Sequence, residues 1–389
     1  MQAKPLACLV ALTACLWSSA VPAVAAATVI PPPADVASAP RITADAAVLL
    51  DATSGRVLWS RQALQPRAPA STTKMMTALV ALERGHLGDV VTVSTQAAAT
   101  PGSSAHLVAG ERFTLGQLII GLLLPSGNDA AVAIAQHVAG SVPAFAELMN
   151  AKAQQLGLQA THFDNPHGLS APGHYSSALD LALIARAGLA VPDFARVVDT
   201  AQAEMSGSDR LQHEVRRELH NTNRLLLTYD WITGVKTGTT RAAGSCLVAS
   251  ASRGGQDLIA VVLHSDDRWG DAMRLLQWGY AHFSYLTPAQ RGAQFAELPV
   301  ALAPDPRATV PIIAGGSLGI SVALDELPRV QVTRSLPARL EAPVRRGQVV
   351  GTLTLRLDGQ LAGEVPLLAG RGVARVGWPW VWWRQLVGG

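Results

Sequence analysis

Hydrophobic and polar positions near the start of the chain follow two different periods. Strand-like segments at residues 47–50 and 56–59, apolar except for Arg56, flank the turn-forming segment 53–55 and predict a β-hairpin. Between residues 71 and 83 the apolar positions recur instead at helical spacing, and Gly85 follows as a stop signal. A short strand pair therefore precedes the first predicted helix.

A helical block occupies the middle of the chain, and a run of short strands follows it. Helical spacing recurs over residues 115–124, 130–138, 142–156 and 178–189. Strand-like composition then appears over residues 234–239, 245–251 and 258–264. A final helix is predicted over residues 271–283. Outer strands around a central helical block predict an α/β (α+β) domain in which an antiparallel sheet carries the helices.

Past residue 286 the helical spacing disappears and strand composition takes over. The predicted strands cover residues 310–313, 330–333 and 349–357. The last of them alternates leucine with polar residues, as a half-buried strand requires, and ends at Asp358-Gly359, a strong two-residue hairpin signal. We predict a separate small all-β domain over residues 287–370.

Composition supports two domains and narrows the functional classes. The chain has 389 residues, of which 49% are hydrophobic and 15% are charged, so it can bury more than the core of one typical domain. The net charge is only +3, which provides no strong field to steer nucleic acid or a membrane. We assign residues 42–286 to the first domain.

The N-terminal residues have the features of a secretion signal. Lys4 provides a basic start, residues 6–17 are apolar, and Ala23-Val24-Ala25 supplies the small residues that signal peptidase requires. We predict a signal peptide over residues 1–26 and a proline-containing linker over 27–41. The protein is expected to be exported, to the periplasm or the outer face of the cytoplasmic membrane.

The cysteines do not predict a disulfide. Cys8 and Cys15 lie in the signal peptide, and cleavage leaves Cys246 alone, which we interpret as a small core residue. The segment 12–15 also resembles the box that precedes a lipid-modified cysteine. Lipidation of Cys15 is therefore an alternative to its being an ordinary apolar residue of the signal.

The C-terminal tail, residues 371–389, is rich in tryptophan and arginine. Tryptophan prefers the interface of a bilayer, where the ring is half wet. Contact with the inner-membrane surface is one interpretation, and packing on the protein's own surface is the other. The residues concerned are Trp378, Trp380, Trp382, Trp383, Arg371, Arg375 and Arg384.

The first candidate catalytic pair is Ser71 and Lys74, in the segment Ser71-Thr72-Thr73-Lys74. A serine hydroxyl is a poor nucleophile until a base takes its proton, and residues three apart lie on one face of a helix. A lysine can be that base when burial or a nearby cation lowers its pKa. Alone, the pattern is more typical of an exposed helix than of a catalytic site.

Two further motifs support this pair. Ser126-Gly127-Asn128 interrupts two predicted helices; its serine could pass a proton, and its asparagine could hold a substrate carbonyl or the lysine. Lys236-Thr237-Gly238-Thr239 lies in the strand block, where lysine and threonine can bind a carboxylate and glycine permits close approach of a substrate backbone. Separately, these motifs are typical of a capped loop and of a strand end with a solvated lysine.

In this order, the three motifs resemble those of penicillin-binding proteins and serine β-lactamases. Over roughly residues 44–365, the chain is similar to the low-molecular-mass penicillin-binding proteins, which are serine D-alanyl-D-alanine carboxypeptidases. The resemblance implies a β-lactamase/transpeptidase-like domain with a five-stranded antiparallel sheet and a helical block, followed by a small all-β domain. Similar segments are 70–77, 126–130, 161–169, 175–178, 234–238, 342–343 and 348–352.

The resemblance also implies roles for individual residues. Ser71 would be the acylated nucleophile, Lys74 its base, and Ser126 the relay of a proton to the leaving D-alanine. Backbone N–H groups of Ser71 and Thr239 would form the oxyanion hole. The substrates would be peptidoglycan peptides ending in D-Ala-D-Ala, with β-lactam antibiotics as covalent inhibitors and no metal or organic cofactor. Substrate-binding roles would fall to Asn128, Lys236, Thr237, Gly238, Thr239 and Arg268.

Three alternatives stay open. A class A β-lactamase would need a Glu-x-x-Leu-Asn loop between the second and third motifs; none is found, and residues 147–150 read as helix. A D,D-endopeptidase would share the motifs, although the β domain argues mildly against it. A non-catalytic peptidoglycan-binding scaffold would not need the intact motifs. Thr239 stands where enteric members carry histidine, which leaves substrate preference open.

Overall fold

The computed structural model describes residues 39–376. The predicted signal peptide, its Cys15, most of the linker and the tryptophans of the tail lie outside the described residues. In chain order, the elements up to residue 283 are β1 (Ala46–Asp51), β2 (Val57–Arg61), a 3₁₀ helix (Ala70–Thr73), α1 (Lys74–Arg84), β3 (Val90–Thr92), α2 (Thr95–Ala98), β4 (Arg112–Thr114), α3 (Leu115–Leu123), α4 (Asn128–Ala139), α5 (Val142–Gln155), α6 (Ala178–Leu189), α7 (Pro192–Val198), β5 (Gln202–Ser208), β6 (Glu214–His220), a 3₁₀ helix (Arg224–Leu227), β7 (Ile232–Thr240), β8 (Gly244–Arg253), β9 (Gln256–Ser265) and α8 (Arg268–His282).

A five-stranded antiparallel sheet, in the order β2-β1-β9-β8-β7, forms the centre of this region. Successive residues of β1 enter different cores. Val48 and Leu50 pack with the helical block, whereas Ala47 and Leu49 pack with α8 on the other face. Because both faces are covered, the inner strands are apolar throughout instead of alternating. The predicted fold class is confirmed.

The helical block surrounds α1, which contacts α3, α4, α5 and α6. Residues 74–81 of α1 are all buried, so the start of this helix is held rigidly. The 3₁₀ helix before it lies against β7, the edge strand of the sheet. No single helix in residues 39–376 is long and apolar enough to cross a membrane; only α4 and α5 together reach that length and composition, bent by 84°.

Sequence patterns do not predict a second sheet, β3-β4-β5-β6. Strands β3 and β4 have three residues each, too few for a period to be seen. Strand β6, with the sequence EVRRELH, is mostly polar. It pairs with β5 along its whole length, so its backbone hydrogen bonds, and not an apolar stripe, make it a strand.

From residue 284 the chain forms β structure with its own core. Its sheets have the orders β14-β16-β17-β12-β11-β15 and β10-β13. Asp358 and Gly359 connect β16 and β17 at φ values of 51° and 76°, as the predicted hairpin turn requires. The elements are β10 (Ser284–Ala289), β11 (Gln294–Ala301), β12 (Thr309–Ala314), β13 (Leu318–Val322), a 3₁₀ helix (Leu324–Arg329), β14 (Val330–Ser335), β15 (Leu340–Glu341), β16 (Val349–Leu357) and β17 (Gln360–Ala369).

Strand β10 crosses the predicted domain boundary at residue 287. Ser284 pairs with Val322 and Leu286 pairs with Ile320, so the first residues of β10 belong to the sheet β10-β13 of the β domain. Helical spacing in α8 ends at His282, shortly before β10 begins. We propose that the boundary lies at Phe283.

Buried polar contacts join the two domains. Arg56, in the turn between β1 and β2, donates to both carboxylate oxygens of Glu326 and to the backbone oxygen of Ser321. The Ser321 backbone N–H donates to Asp51, and Gln256 donates to the Ser321 hydroxyl at 2.9 Å. We call these five residues the junction cluster.

Candidate active site

The structure brings Ser71 and Lys74 together at the start of α1. Ser71 lies in the 3₁₀ helix Ala70–Thr73, and Lys74 follows it directly. Side chains at positions i and i+3 of a 3₁₀ helix eclipse one another, which aligns these two more closely than an α-helical turn would. Lys74 Nζ lies 3.0 Å from Ser71 Oγ.

Lys74 is completely buried among hydrogen-bond acceptors. Besides Ser71, its Nζ bonds to Asn128 Oδ1 at 2.6 Å and to the backbone oxygen of His167 at 2.8 Å. Burial lowers the pKa of Lys74 well below its usual value, and the charge of Lys236 lowers it further, against a smaller opposing effect of Asp129. In its neutral form the amine would donate its two protons to Asn128 and His167 and leave its lone pair for the Ser71 hydroxyl.

Asn128 bonds to Lys74 and to the backbone of Pro101 at the same time. While Oδ1 accepts from Lys74, Nδ2 donates to the backbone oxygen of Pro101 at 2.6 Å. Of the two partners that the sequence left open for this amide, the lysine is the one present here. One N–H of the amide is left for a ligand.

Ser126 has a strained backbone and a free hydroxyl. Its φ is 68°, which is uncommon outside glycine, asparagine and aspartate. The residue is 4% exposed, and Ser126 Oγ has no hydrogen-bond partner within residues 39–376. An unsatisfied buried hydroxyl costs about 1–3 kcal/mol, so this position favours an incoming polar group.

Lys236 is buried in β7 and is not a solvated lysine at a strand end. It is 1% exposed, and its Nζ donates to the backbone oxygen of Thr237 at 3.3 Å. Burial, followed by the charge of Arg268, lowers the pKa of Lys236 to about 7. Two cationic groups therefore lie at the same end of the site, which suits an anionic ligand.

Gly238 is required by the protein's own packing. A Cβ atom at this position would lie 3.0 Å from Ser71 N, from Ala70 Cβ and from Pro69 O. The sequence suggested that this glycine admits a substrate backbone; in the structure it admits the turn that carries Ser71. The same contact places the N–H of Ser71 beside the strand that continues to Thr239.

Arg268 is the first residue of α8 and reaches back to β7. Its Nη1 donates to Thr239 Oγ1 at 2.8 Å and to the backbone oxygen of Gly238 at 3.1 Å. Its guanidinium carbon lies 4.8 Å from the centre of the Trp269 ring. These contacts join Arg268 to the segment 236–239, so every predicted site residue lies in one region.

Three residues of this region were not among the predicted site residues. Asp129 accepts hydrogen bonds from Ser104 Oγ at 2.6 Å and Leu107 N at 3.0 Å, which fixes the loop beside Asn128. His174 lies 2.8 Å from Thr73 Oγ1, and Thr222 lies 2.7 Å from Thr237 Oγ1. Only Asp129 has a sequence signal, since it adjoins the motif and lies in the first turn of α4.

Comparison with known proteins identifies the family. The D-alanyl-D-alanine carboxypeptidase family matches residues 34–267, and the family "Penicillin-binding protein 5, C-terminal domain" matches residues 283–375. D-alanyl-D-alanine carboxypeptidase DacA of Escherichia coli is 38% identical over 346 residues, 85% of this chain and 83% of that protein. DacF of Bacillus subtilis is 33% identical over 345 residues, 86% and 87% of the two chains.

Solved structures agree with these sequence matches. Penicillin-binding protein 5 from Haemophilus influenzae superposes with a TM-score of 0.64 and 32% identity, covering 87% of this chain and all of the other. A serine-to-alanine mutant of the Streptomyces K15 DD-transpeptidase covers 62% of this chain and all of its own, with a TM-score of 0.61 and 34% identity. These matches define the chain as a hydrolase that acts on peptides. It belongs to the D-alanyl-D-alanine carboxypeptidase family, as its motifs predict.

Proposed function

We propose that this protein is a serine-type D-alanyl-D-alanine carboxypeptidase that removes the terminal D-alanine of peptidoglycan pentapeptides through an acyl-serine. The observation that carries this proposal is the contact between Lys74 Nζ and Ser71 Oγ at 3.0 Å. Lys74 is buried, and burial lowers its pKa well below the usual value, which favours the neutral amine that a base requires. At this distance the proton can pass directly from the serine oxygen to the lysine nitrogen.

Acylation begins when Ser71 Oγ attacks the carbonyl carbon of the bond between the two D-alanines. Its proton passes to Lys74 Nζ, and the carbonyl oxygen becomes an oxyanion that the N–H groups of Ser71 and Thr239 stabilise. Collapse breaks the C–N bond and leaves the ester on Ser71. The departing amine takes the proton held by Lys74 through the hydroxyl of Ser126, which has no other described partner.

Deacylation repeats these steps with water. The oxygen of the water attacks the ester carbonyl while Lys74 takes a proton from the water. When the ester breaks, that proton passes from Lys74 to Ser71 Oγ. A penicillin would form the same ester, and its bulky leaving group would stay attached and obstruct the water. β-Lactams are therefore expected to acylate Ser71 and to leave it slowly.

The terminal carboxylate of the peptide would lie at the cationic end of the site. Lys236 and Arg268 supply the charge, and Thr237 supplies a hydroxyl donor. Protonated Lys236 next to Arg268 is costly in the free protein, as its lowered pKa shows. A bound carboxylate would offset both the burial of the Lys236 charge and its repulsion from Arg268. This pair therefore favours a substrate with a free C-terminus.

The test compares D-alanine release from a peptide ending in D-Ala-D-Ala by the mature protein, by Ser71→Ala and by the control Ser60→Ala, whose serine is exposed on β2. We expect release by the first and third proteins and none by Ser71→Ala. Labelling by penicillin, read as a mass increase on Ser71, without any release would favour a D,D-endopeptidase. Absence of both would leave the peptidoglycan-binding scaffold.

We further propose that the protein is exported and contacts the inner-membrane surface through residues 371–389. Arg371 and Arg375 are exposed, and the pairing of Val344 with Val373 brings the exposed Arg345 close to them. Basic residues beside a tryptophan-rich segment suit an anionic bilayer surface. Co-sedimentation of the mature protein with phosphatidylglycerol vesicles, but not with phosphatidylcholine vesicles, is expected; equal binding to both would contradict the electrostatic part.

A further inference from the structure

Thr222 belongs to none of the motifs, yet its side chain reaches the carboxylate end of the site. Its hydroxyl oxygen lies 2.7 Å from the hydroxyl oxygen of Thr237. Its backbone N–H donates to the oxygen of Leu124 at 3.1 Å, two residues before Ser126. Thr222 therefore connects the strand that carries Lys236 with the loop that carries Ser126.

The neighbours of Thr222 hold this segment in place from both sides. Asn221 Nδ2 donates to the backbone oxygen of Thr200 at 3.0 Å. Asn223 is completely buried, and its Nδ2 donates to the backbone oxygen of Gly234 in β7 at 2.8 Å. Because these contacts fix the backbone on both sides of Thr222, they keep its hydroxyl next to that of Thr237.

The direction of the bond between the two threonines decides what Thr237 can do. A hydroxyl carries a single proton, and a carboxylate only accepts hydrogen bonds. If Thr237 donates to Thr222, it has no proton left for a substrate carboxylate. If Thr222 donates to Thr237, the proton of Thr237 is free, and accepting one bond strengthens the bond that it donates.

We propose that Thr222 is a positioning residue that donates to Thr237 and thereby makes Thr237 a donor toward the terminal carboxylate. This inference rests on the proposed carboxypeptidase function and extends it to specificity. A carboxylate accepts at both oxygens, whereas a carboxamide presents an NH₂ group at one position. A fixed donor at Thr237 meets that NH₂ group unfavourably, so Thr222 contributes to discrimination between a free C-terminus and an amidated one.

The experiment measures kcat/KM for two peptides that differ only at the C-terminus, D-Ala-D-Ala and D-Ala-D-alaninamide. The Thr222→Val variant removes the hydroxyl and keeps the backbone N–H that donates to Leu124. Thr222→Ser restores a hydroxyl. Thr228→Val is the matched control, because Thr228 is exposed in the same segment and its hydroxyl donates to the backbone oxygen of Arg224.

We expect Thr222→Val to lower the preference for the carboxylate peptide by about fivefold, which is the size of one modest hydrogen bond. The loss should appear mainly in KM of the carboxylate peptide, and Thr222→Ser should recover the preference. If both peptides lose activity by the same factor, Thr222 has only a structural role and the inference is wrong.

A second variant keeps the test decisive if valine disturbs the segment. Thr222→Ala removes the same hydroxyl with a smaller side chain and must give the same loss of preference. An unchanged preference in a folded Thr222→Ala protein would overturn the role of Thr222 while leaving the carboxypeptidase intact. No D-alanine release by the unmodified protein would overturn the proposed function, and this inference with it.

Discussion

Two buried polar clusters in this protein differ in whether their charged side chains have a counter-charge. At the candidate active site, Lys74 and Lys236 are 0% and 1% exposed, and neither is paired with a carboxylate within residues 39–376. In the junction cluster, Arg56 and Glu326 are 1% and 2% exposed and are bonded to each other. Burial is similar in the two places, but only the second contains an ion pair, Arg56 with Glu326.

The pKa shifts follow from this difference. Burial lowers the pKa of both lysines, and each is lowered further by a neighbouring cation. In the junction cluster burial opposes ionisation of Glu326, but the hydrogen bonds from Arg56 and Ala323 N and the charges of Arg56 and Arg329 together outweigh it, and the pKa falls. A buried charge that keeps its partner joins domains, whereas one without a partner is available to react with or bind a ligand.

The largest expected effect comes from replacing Lys74, the proposed base. Lys74→Met should lower the rate of D-alanine release by about 10²–10⁴-fold, since the base is lost. The free energy of unfolding should change little, because release of a buried amine without a counter-charge offsets the loss of its hydrogen bonds to Asn128 and His167. Activity assays and calorimetry measure both. Lys152→Met, on the surface and paired with Glu83, is the control; rapid release by Lys74→Met would contradict the assigned base.

The reverse result is expected in the junction cluster. Glu326→Gln should lower the free energy of unfolding by about 3–5 kcal/mol, because it leaves Arg56 buried without its counter-charge. The kcat of the folded protein should stay unchanged. Asp325→Asn is the control, since the Asp325 side chain is 79% exposed. A neutral effect of Glu326→Gln on thermal unfolding would remove the contrast between the two clusters.

An intermediate effect on stability is expected from His174, a buried histidine that contacts the 3₁₀ helix carrying Ser71. Burial lowers the pKa of His174 from 6.5 to about 4. The folded state therefore binds the proton more weakly than the unfolded state, and stability is full above pH 6.5 and falls as pH falls to about 4. The slope is about 1.4 kcal/mol per pH unit.

His174→Gln should remove this component from the pH dependence of unfolding. Glutamine can still donate to Thr73 but does not titrate. His213→Gln is the control, because the His213 side chain is 72% exposed. Denaturant titrations at several pH values across the interval between the two pKa values make the comparison. An unchanged slope in His174→Gln would show that other groups cause the acid sensitivity.

The smallest predicted effect concerns the charge of Arg268. In the free protein Lys236 must be protonated to bind a carboxylate, and its pKa is about 7, so kcat/KM should fall above that pH. Arg268→Leu removes a charge that lowers this pKa, so the alkaline limb should move to higher pH while the maximum decreases. Arg334→Leu, exposed in the β domain, is the control. If the alkaline limb stays in place, the charge of Arg268 does not lower the pKa of Lys236.

Local sequence patterns predicted the elements far better than the sheets they form. The helices of the central block and the strands β7, β8 and β9 are where periodicity placed them, and Asp358-Gly359 makes the predicted turn. The sheet β3-β4-β5-β6 was missed, because its strands are short or polar and because β4 pairs with β5, a segment far along the chain.

The candidate site divides in the same way. Ser71, Lys74 and Ser126 were found from motif spacing, since residue type and local turn suffice to suggest them. The partners His174 and Thr222 contact the motif segments across 101 and 15 residues of chain, in the bonds to Thr73 and Thr237. Such contacts leave no local pattern to read.

The sequence by itself determined the order of helices and strands, the three motifs and the family, because periodicity, turn chemistry and residue type are local properties. Only the tertiary structure decided that Lys74 and Lys236 are both buried, that Gly238 makes room for Ser71, and that Ser126 Oγ is left without a partner among the described residues. Burial, charge repulsion and hydrogen bonding depend on distances between residues far apart in the chain, and folding alone sets those distances.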